Sequence, residues 1–518
     1  MRKYLVIFIT VVTVYSYSYS IGPYGINNWE WDYPLINKAF TEAKMLTNRV
    51  IVNWKTAEPE DDNYQWDKSA FLGDEHGSID VALENFKKYG WKCNIGIWDL
   101  TPEWARMDKR KLLSYKPEKF AEFIYELLKH CEQIAPGVVI SVEWNELPTQ
   151  AWNDEFPVTK ATDQRDPSWY YADILKATYN TIQKFNKEYN RKVLMVMDSI
   201  WQQAFHHLDE LYQLGLKDYF DRINFHYYTE AIREQKMELP PTVKNIFHFD
   251  TNLLYLRYIA DKWGDTNKLI WVTEYGWRHL GEKNKADYND YVADVCRRSG
   301  FVELVQPYVG SCRAKPWDKL DKIALIYDIG DPVIYPTTSY FQYKSYAEKY
   351  PVWDKPERDT LKPIPGGKVI ELINPGFELG NKKGWDGLFK IDKSTKCSGQ
   401  YSARITNDGD FIQTKFYSVE PEKLYEITAK VKIYSESVDD AIVDFKIIYL
   451  YSDGTVEEIL PQNYFGIVNT QRYPNGWRGI IYPEVTPENV EKISVKFDFH
   501  GKGIFWIDDF SISPLNLK

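Results

Sequence analysis

The stretch Val138–Trp152, VVISVEWNELPTQAW, passes from alternating apolar residues into a polar cluster with two glutamates, Glu143 and Glu146. Its first part is rich in β-branched residues and predicts a strand ending near Glu146. Just upstream, PEKFAEFIYELLKH (Pro117–His130) sets Phe120, Phe123, Ile124, Leu127 and Leu128 on one helical face and charges on the other. Pro117 and Gly137 bracket that helix as start and stop signals. The same alternation recurs from Ile21 to about Tyr350. The other strand candidates are IGPYGIN (21–27), RVIVNW (49–54), WKCNIGIW (91–98), KVLMVM (192–197), RINFHYY (222–228), LIWVTE (269–274) and IALIYD (323–328). Eight such strands, each with a helical segment, predict a (β/α)8 barrel over residues 21–350. A doubly wound sheet is the alternative, but no Gly-rich phosphate loop follows the first strand.

Pro351, Pro356, Pro363, Pro365 and the pair Gly366–Gly367 mark a linker over 351–368. Beyond it the period changes to two. YEITAKVKIY (425–434), DFKIIYLY (444–451) and KISVKFDF (492–499) alternate apolar and polar residues, and helix signals vanish. Residues 369–518 therefore read as a second, all-β domain, a sandwich.

Composition narrows the function classes. The 518 residues are 44% hydrophobic, which supplies a large core. The net charge of −10, with no basic run, excludes nucleic acid as a partner. Aromatics reach 16%, with 19 Trp and 39 Tyr, a surplus suited either to stacking on flat ligand faces or to an aromatic core. The N-terminus, MRKYLVIFITVVTVYSYSYS, joins Arg2 and Lys3 to an apolar stretch too short to span a bilayer, then to small Ser18 and Ser20. Residues 1–20 thus read as a secretory signal peptide, with an uncleaved anchor as the alternative, and the mature protein as exported without a membrane span. The five cysteines match no zinc pattern. Cys296 and Cys312 are the candidate disulfide pair, while Cys93 and Cys131 read as buried.

A barrel enzyme carries its site at the C-terminal ends of the strands. The fourth strand ends in Trp144, Asn145 and Glu146, the sixth carries His226 and Tyr228, and the seventh ends in Glu274 with Trp277 beyond. The second carries Arg49 and Trp54, Trp104 follows the third, and the last candidate ends in Tyr327 and Asp328. Two glutamates facing each other across a barrel mouth suit glycoside cleavage, in which one carboxylic acid protonates the leaving oxygen and one carboxylate attacks the anomeric carbon. Side chains alternate along a strand, so Glu143 and Glu146 point oppositely if the strand stays regular. That reserves the mouth for Glu146 and leaves Glu143 a structural pairing with an Arg or Lys behind the strand.

These motifs carry a resemblance. EWNELP is similar to the Asn-Glu-Pro acid/base motif of clan-A glycoside hydrolases, and VTEYGW looks like their nucleophile motif. Arg49, Asn53–Trp54, Glu58–Pro59, TPEWA (101–105) and HYY (226–228) resemble further elements of the clan, closest to families 5 and 39. The resemblance implies Glu146 as acid/base and Glu274 as nucleophile. It implies Asn145 on the adjacent sugar hydroxyl, Tyr228 and Arg49 hydrogen-bonded to Glu274, and His226 on the same wall. Trp277, Trp54, Trp104 and Tyr327 become substrate-binding candidates, and no catalytic cofactor is implied. Leu147 stands where Pro usually follows the acid, Tyr327 where many relatives have Trp, and Glu143 where an apolar residue is usual.

In the second domain NPGFELGNKKGW (374–385), CSGQYSARI (397–405) and FWIDDFSIS (505–513) resemble jelly-roll carbohydrate-binding modules. That likeness implies Glu378 and Asp508 as oxygen ligands of a structural calcium, with a calcium-free sandwich as the alternative, and Trp385, Trp477 and Tyr482 either as stacking residues or as core. The sequence-level expectation is a secreted retaining β-glycoside hydrolase acting on a polymeric carbohydrate. The alternatives are a transglycosidase on the same scaffold and a non-catalytic glycan-binding surface protein.

Overall fold

A computed structural model describes residues 22–27, 33–68, 78–98, 101–105, 116–144, 167–201, 205–228, 249–276, 282–312, 324–328, 334–353, 364–365, 370–436, 441–460 and 470–516. The leader segment 1–20, Asn145, Glu146, Leu147, Trp277 and Asp331 lie outside them. No helix among the described residues is long and apolar enough to cross a membrane.

The first layer is an eight-stranded parallel sheet in sequence order. Its strands are β1 (Gly25–Asn27), β2 (Thr47–Asn53), β3 (Lys92–Trp98), β4 (Val139–Trp144), β5 (Leu194–Trp201), β6 (Arg222–Tyr228), β7 (Leu269–Gly276) and β8 (Val302–Val305). Bridges from Tyr24 to Val305 and from Asn27 to Tyr308 join its two edges into a barrel. Around it stand α1 (Pro34–Glu42), α2 (Trp54–Ala57), α3 (Ile79–Tyr89), α4 (Pro117–Ile134), α5 (Pro167–Tyr189), α6 (Phe205–Gln213), α7 (Phe249–Lys262), α8 (Glu282–Ser299) and α9 (Thr338–Lys349). Local signals set these helices. Ser78 caps α3, its side chain accepting from Val81 N–H, and left-handed Gly90 ends it. The expected apolar face of α4 is fully buried.

The sequence misplaces one strand. The barrel closes with Val302–Val305, not with IALIYD. Among the described residues of IALIYD, Ile326–Asp328 is extended (β10), and it joins β9 (Ser311–Cys312) and β11 (Ile334–Pro336) in a separate three-stranded sheet. Tyr327 is therefore not at the end of a barrel strand. Cys296 also departs from expectation, because it is a free, buried thiol.

The C-terminal domain is a sandwich. One sheet runs β14 (Lys390–Asp392), β15 (Ser402–Ile405), β23 (Ile504–Asn516), β18 (Leu424–Tyr434), β21 (Arg478–Val485), with β12 (Ile364–Pro365) also on β23. The other runs β13 (Trp385–Gly387), β16 (Phe411–Thr414), β22 (Val490–Gly501), β19 (Ala441–Tyr451), β20 (Val456–Ile459), with β17 (Tyr417–Ser418) on β22. Ile427, Val431, Phe445, Phe497 and Phe505 fill the space between them. Trp385 and Tyr482 belong to this core, with Trp385 stacked on Phe377 at 4.8 Å, so neither is a stacking platform for a glycan.

The sandwich docks on α6 and α7. Every residue of α6 is buried, including His206, His207, Asp209, Glu210 and Gln213. A polar helix has that pattern when the barrel covers one side and another layer the other. Glu210 pairs with Arg478, both 2% exposed. The Gln213 amide donates to Gly479 O at 2.9 Å and accepts from Gly479 N–H at 2.5 Å. Tyr255 donates to Glu426 at 2.8 Å across the same seam, and burial raises the Glu426 carboxyl above its ordinary range. Ile481 and Leu515 complete it, packing into the barrel's outer apolar cluster.

Candidate active site

The barrel interior is polar where aliphatic layers are the usual filling. Asn27, Arg49, Asn94, Ser141, Glu143, Asn224, His226, Thr273 and Gln306 are all buried. Alternation explains the selection, because Asn224, His226 and Tyr228 occupy every second position of β6. Arg49, from β2, is the hub and is 1% exposed. Its guanidinium donates to Glu143 through Nε and to Glu274 through Nη1, and Nη1 also donates to Asn27 Oδ1 at 3.2 Å. Gly96 on β3 makes the room: a Cβ there would stand 3.3 Å from Arg49 Nη2 and 2.6 Å from Ile51 Cδ1.

Glu143 is thus structural, but it sits inside the barrel, not behind the strand. Its Oε2 accepts from Asn94 at 3.0 Å and from Asn224 at 3.1 Å. Burial raises its pKa, and the Arg49 charge pulls it back down. The neighbour on the opposite face is Trp144, whose ring meets Phe120 of α4 at 4.3 Å. By strict alternation Glu146 would share the Trp144 face. The parity argument therefore does not by itself select Glu146.

Glu274, 6% exposed, lies two residues before the end of β7, in register with His226 of β6, where the ladder shifts between Phe225 and His226. Its other oxygen accepts from the Tyr228 hydroxyl. Arg49, Tyr228 and His226 therefore converge on Glu274, with His226 Nδ1 at 3.5 Å. His226 Nε2 lies 2.9 Å from Thr273 Oγ1, which donates to Asn224 Oδ1 at 2.6 Å. A hydroxyl whose one proton is committed accepts from the imidazole, which puts the proton on Nε2.

Burial, reinforced by the Arg49 charge, holds His226 well below the ordinary histidine range. The folded state thus keeps this base neutral while the unfolded chain takes up a proton below about pH 6.5. The stability tied to its neutral form is present above that pH and is lost as pH falls through it. Between pH 6 and pH 5 the urea midpoint is expected to drop, and His226→Gln to flatten that dependence by up to about 1.4 kcal/mol per pH unit. Parallel curves for wild type and variant would contradict the assignment.

Other candidates fall elsewhere. Trp54 is sealed at 1% exposure, stacked on Phe123 at 5.5 Å, with its N–H on Glu58 Oε2 at 2.8 Å. It cannot stack on a sugar. Trp104 meets it edge-on at 6.0 Å and donates to Glu58 O, in the same helix-facing cluster. Tyr327, 3% exposed, reaches the site indirectly by packing with Tyr228, Val309 and Ala324. The candidate acid Glu146, Asn145 and Trp277 lie outside the described residues.

No family model and no curated protein matches the chain. Solved structures similar to it include a GH5_18 protein from Bifidobacterium longum subsp. infantis, 12% identical, covering 65% of this chain and 80% of that one at a TM-score of 0.49. A family 39 glycoside hydrolase from the gut symbiont Bacteroides cellulosilyticus WH2 is 15% identical, with 89% and 77% covered and a TM-score of 0.46. The CBM22-1 xylan-binding domain of Xyn10C from Paenibacillus barcinonensis aligns with 30% of this chain over its full length, at 16% identity and a TM-score of 0.24. The first two come from the families that the motifs resemble.

The carboxylates expected to hold calcium accept hydrogen bonds from backbone N–H groups. Glu378 accepts from the N–H groups of Gln400 and Tyr401, at 2.9 and 3.1 Å. Asp508 accepts from those of Cys397, Ser398 and Asp509, at 2.9, 3.1 and 2.8 Å. Burial nonetheless pushes Asp508 up to about 6. Among the described residues, the acidic group whose ligand atoms converge within 4.8 Å is Glu58, Asp61 and Asp62, on the barrel. Glu378 and Asp508 thus both clamp the 397–401 loop through its backbone N–H groups.

Proposed function

We propose that the protein is a secreted, retaining β-glycoside hydrolase acting on a polymeric carbohydrate, with Glu274 as nucleophile and Glu146 as acid/base. The observation that carries this reading is a carboxylate at the C-terminal end of β7, gripped on one oxygen by Arg49 and on the other by Tyr228. Such a grip fixes the attacking oxygen and leaves little orientation to be lost at the transition state. Glu274 attacks the anomeric carbon as the glycosidic bond breaks, and the departing oxygen takes the Glu146 proton. Water, deprotonated by Glu146, then displaces Glu274 and restores both groups. Neutral His226 adds no positive charge beside the nucleophile. The leader of the chain supports export, and the sandwich supports a second point of contact with a polymer.

The test is a screen of β-linked polysaccharides and aryl β-glycosides, with the first-formed product read by NMR. The expected product has the β configuration and mutarotates only afterwards. A first-formed α product would overturn the double displacement. New, longer glycosides appearing with added acceptor would identify a transglycosidase, and no turnover of any glycan would favour the binding-protein reading.

A further inference from the structure

We propose that the cleft between barrel and sandwich binds an acidic saccharide, a sugar chain carrying carboxylate or sulfate groups. The cleft encloses about 580 Å³, within the range of small-molecule sites. Each domain contributes one indole. Trp263, at the end of α7, is 37% exposed; its N–H is anchored on Asp209 at 2.7 Å, and its ring is stacked on Tyr212 at 6.2 Å. Trp477, 7% exposed, belongs to neither apolar core. It follows the turn at Asn475, a residue held in the left-handed region. The open indole of Trp263 suits the C–H face of a pyranose, and Trp477 backs the opposite wall.

Charge identifies the class of sugar. Lys396, Lys430 and Lys432 line the cleft, and among the described residues no Asp or Glu does. Lys396 and Lys432 donate to the neutral carbonyls of Lys393 and Asn475, at 3.2 and 3.1 Å, and Lys430 has no ion pair among the described residues. Asp508, buried behind the 397–401 loop, already accepts from Cys397 and Ser398. In a chain of net charge −10, three ammonium groups without a carboxylate partner form a local positive site. A neutral sugar would strip water from them without compensation, whereas an acidic one restores charge-assisted bonds.

This inference does not depend on the proposed catalytic activity. The experiment is calorimetric titration of the full chain with hexagalacturonide, a sulfated oligosaccharide, neutral xylohexaose and inorganic phosphate. The expected result is binding of the uronide, the sulfated sugar or both, weakening as salt rises. Lys430→Gln and Lys432→Gln each lower that affinity roughly tenfold. Glu274→Gln leaves it unchanged, which separates the cleft from the barrel mouth. Trp263→Ala weakens it as well. Xylohexaose bound as tightly, phosphate bound without the sugars, or an affinity indifferent to both lysine variants would each overturn the proposal.

Discussion

Glu274→Gln lowers kcat/KM on any hydrolysed β-glycoside by roughly 10⁴-fold or more, a loss of the size seen when a nucleophile is removed from a concerted site. Glutamine keeps the shape: its oxygen can still accept from Arg49 while its NH2 donates to the Tyr228 hydroxyl, so the fold should survive. Arg49 also keeps its second carboxylate, Glu143. What disappears is the anionic oxygen that forms the covalent intermediate. Substrates with an activated leaving group do not rescue this variant, because the nucleophile is needed however easily the bond breaks. They do rescue Glu146→Gln, whose defect lies in protonating the leaving group. Both variants matching wild type across a glycan library would sink the enzyme reading.

Arg49→Met is expected to cost about 3–5 kcal/mol of stability as well as activity. The substitution leaves Glu143 and Glu274 buried together without their shared cation. Glu143 already has a raised pKa, so without Arg49 its ionised form becomes still costlier. A carboxyl with a raised folded pKa loses stability as pH rises and regains it as pH falls. The Arg49→Met deficit should therefore be greatest at neutral pH and shrink in acid. Adding Glu143→Gln should recover part of it, because the charge most in need of Arg49 is then gone. Urea denaturation of the two single variants and the double variant measures that coupling, and strictly additive losses would argue against a shared cation.

Seven of the eight barrel strands were legible, because each is a β-rich run flanked by a helical period. The closing strand was not. Val302–Val305 is four residues long and makes its remaining contacts through isolated bridges, whereas IALIYD is a longer apolar run that belongs to an inserted sheet. Glu274 could be read from its position at a strand end. The network around it could have been read as well, from polar residues recurring at every second position: Asn94 and Gly96, Ser141 and Glu143, Asn224 and His226. Glu143 resisted because the parity rule says which residues share a face, but not which face is the interior. The indoles resisted for a similar reason. Trp54 and Trp385 pack in cores while Trp263 stands half open, and only tertiary contacts separate them.

The seam along α6 bears on how this chain can be divided. A fragment ending at Tyr350 would leave Glu210 without its cation and open the apolar cluster that Ile481 and Leu515 close. The sandwich alone would carry the converse burden, with Arg478 on the edge strand β21 and Glu426 on its neighbour β18 laid bare. Neither half is a ready-made module for transplantation, and an engineer wishing to exchange one must redesign the face it leaves behind.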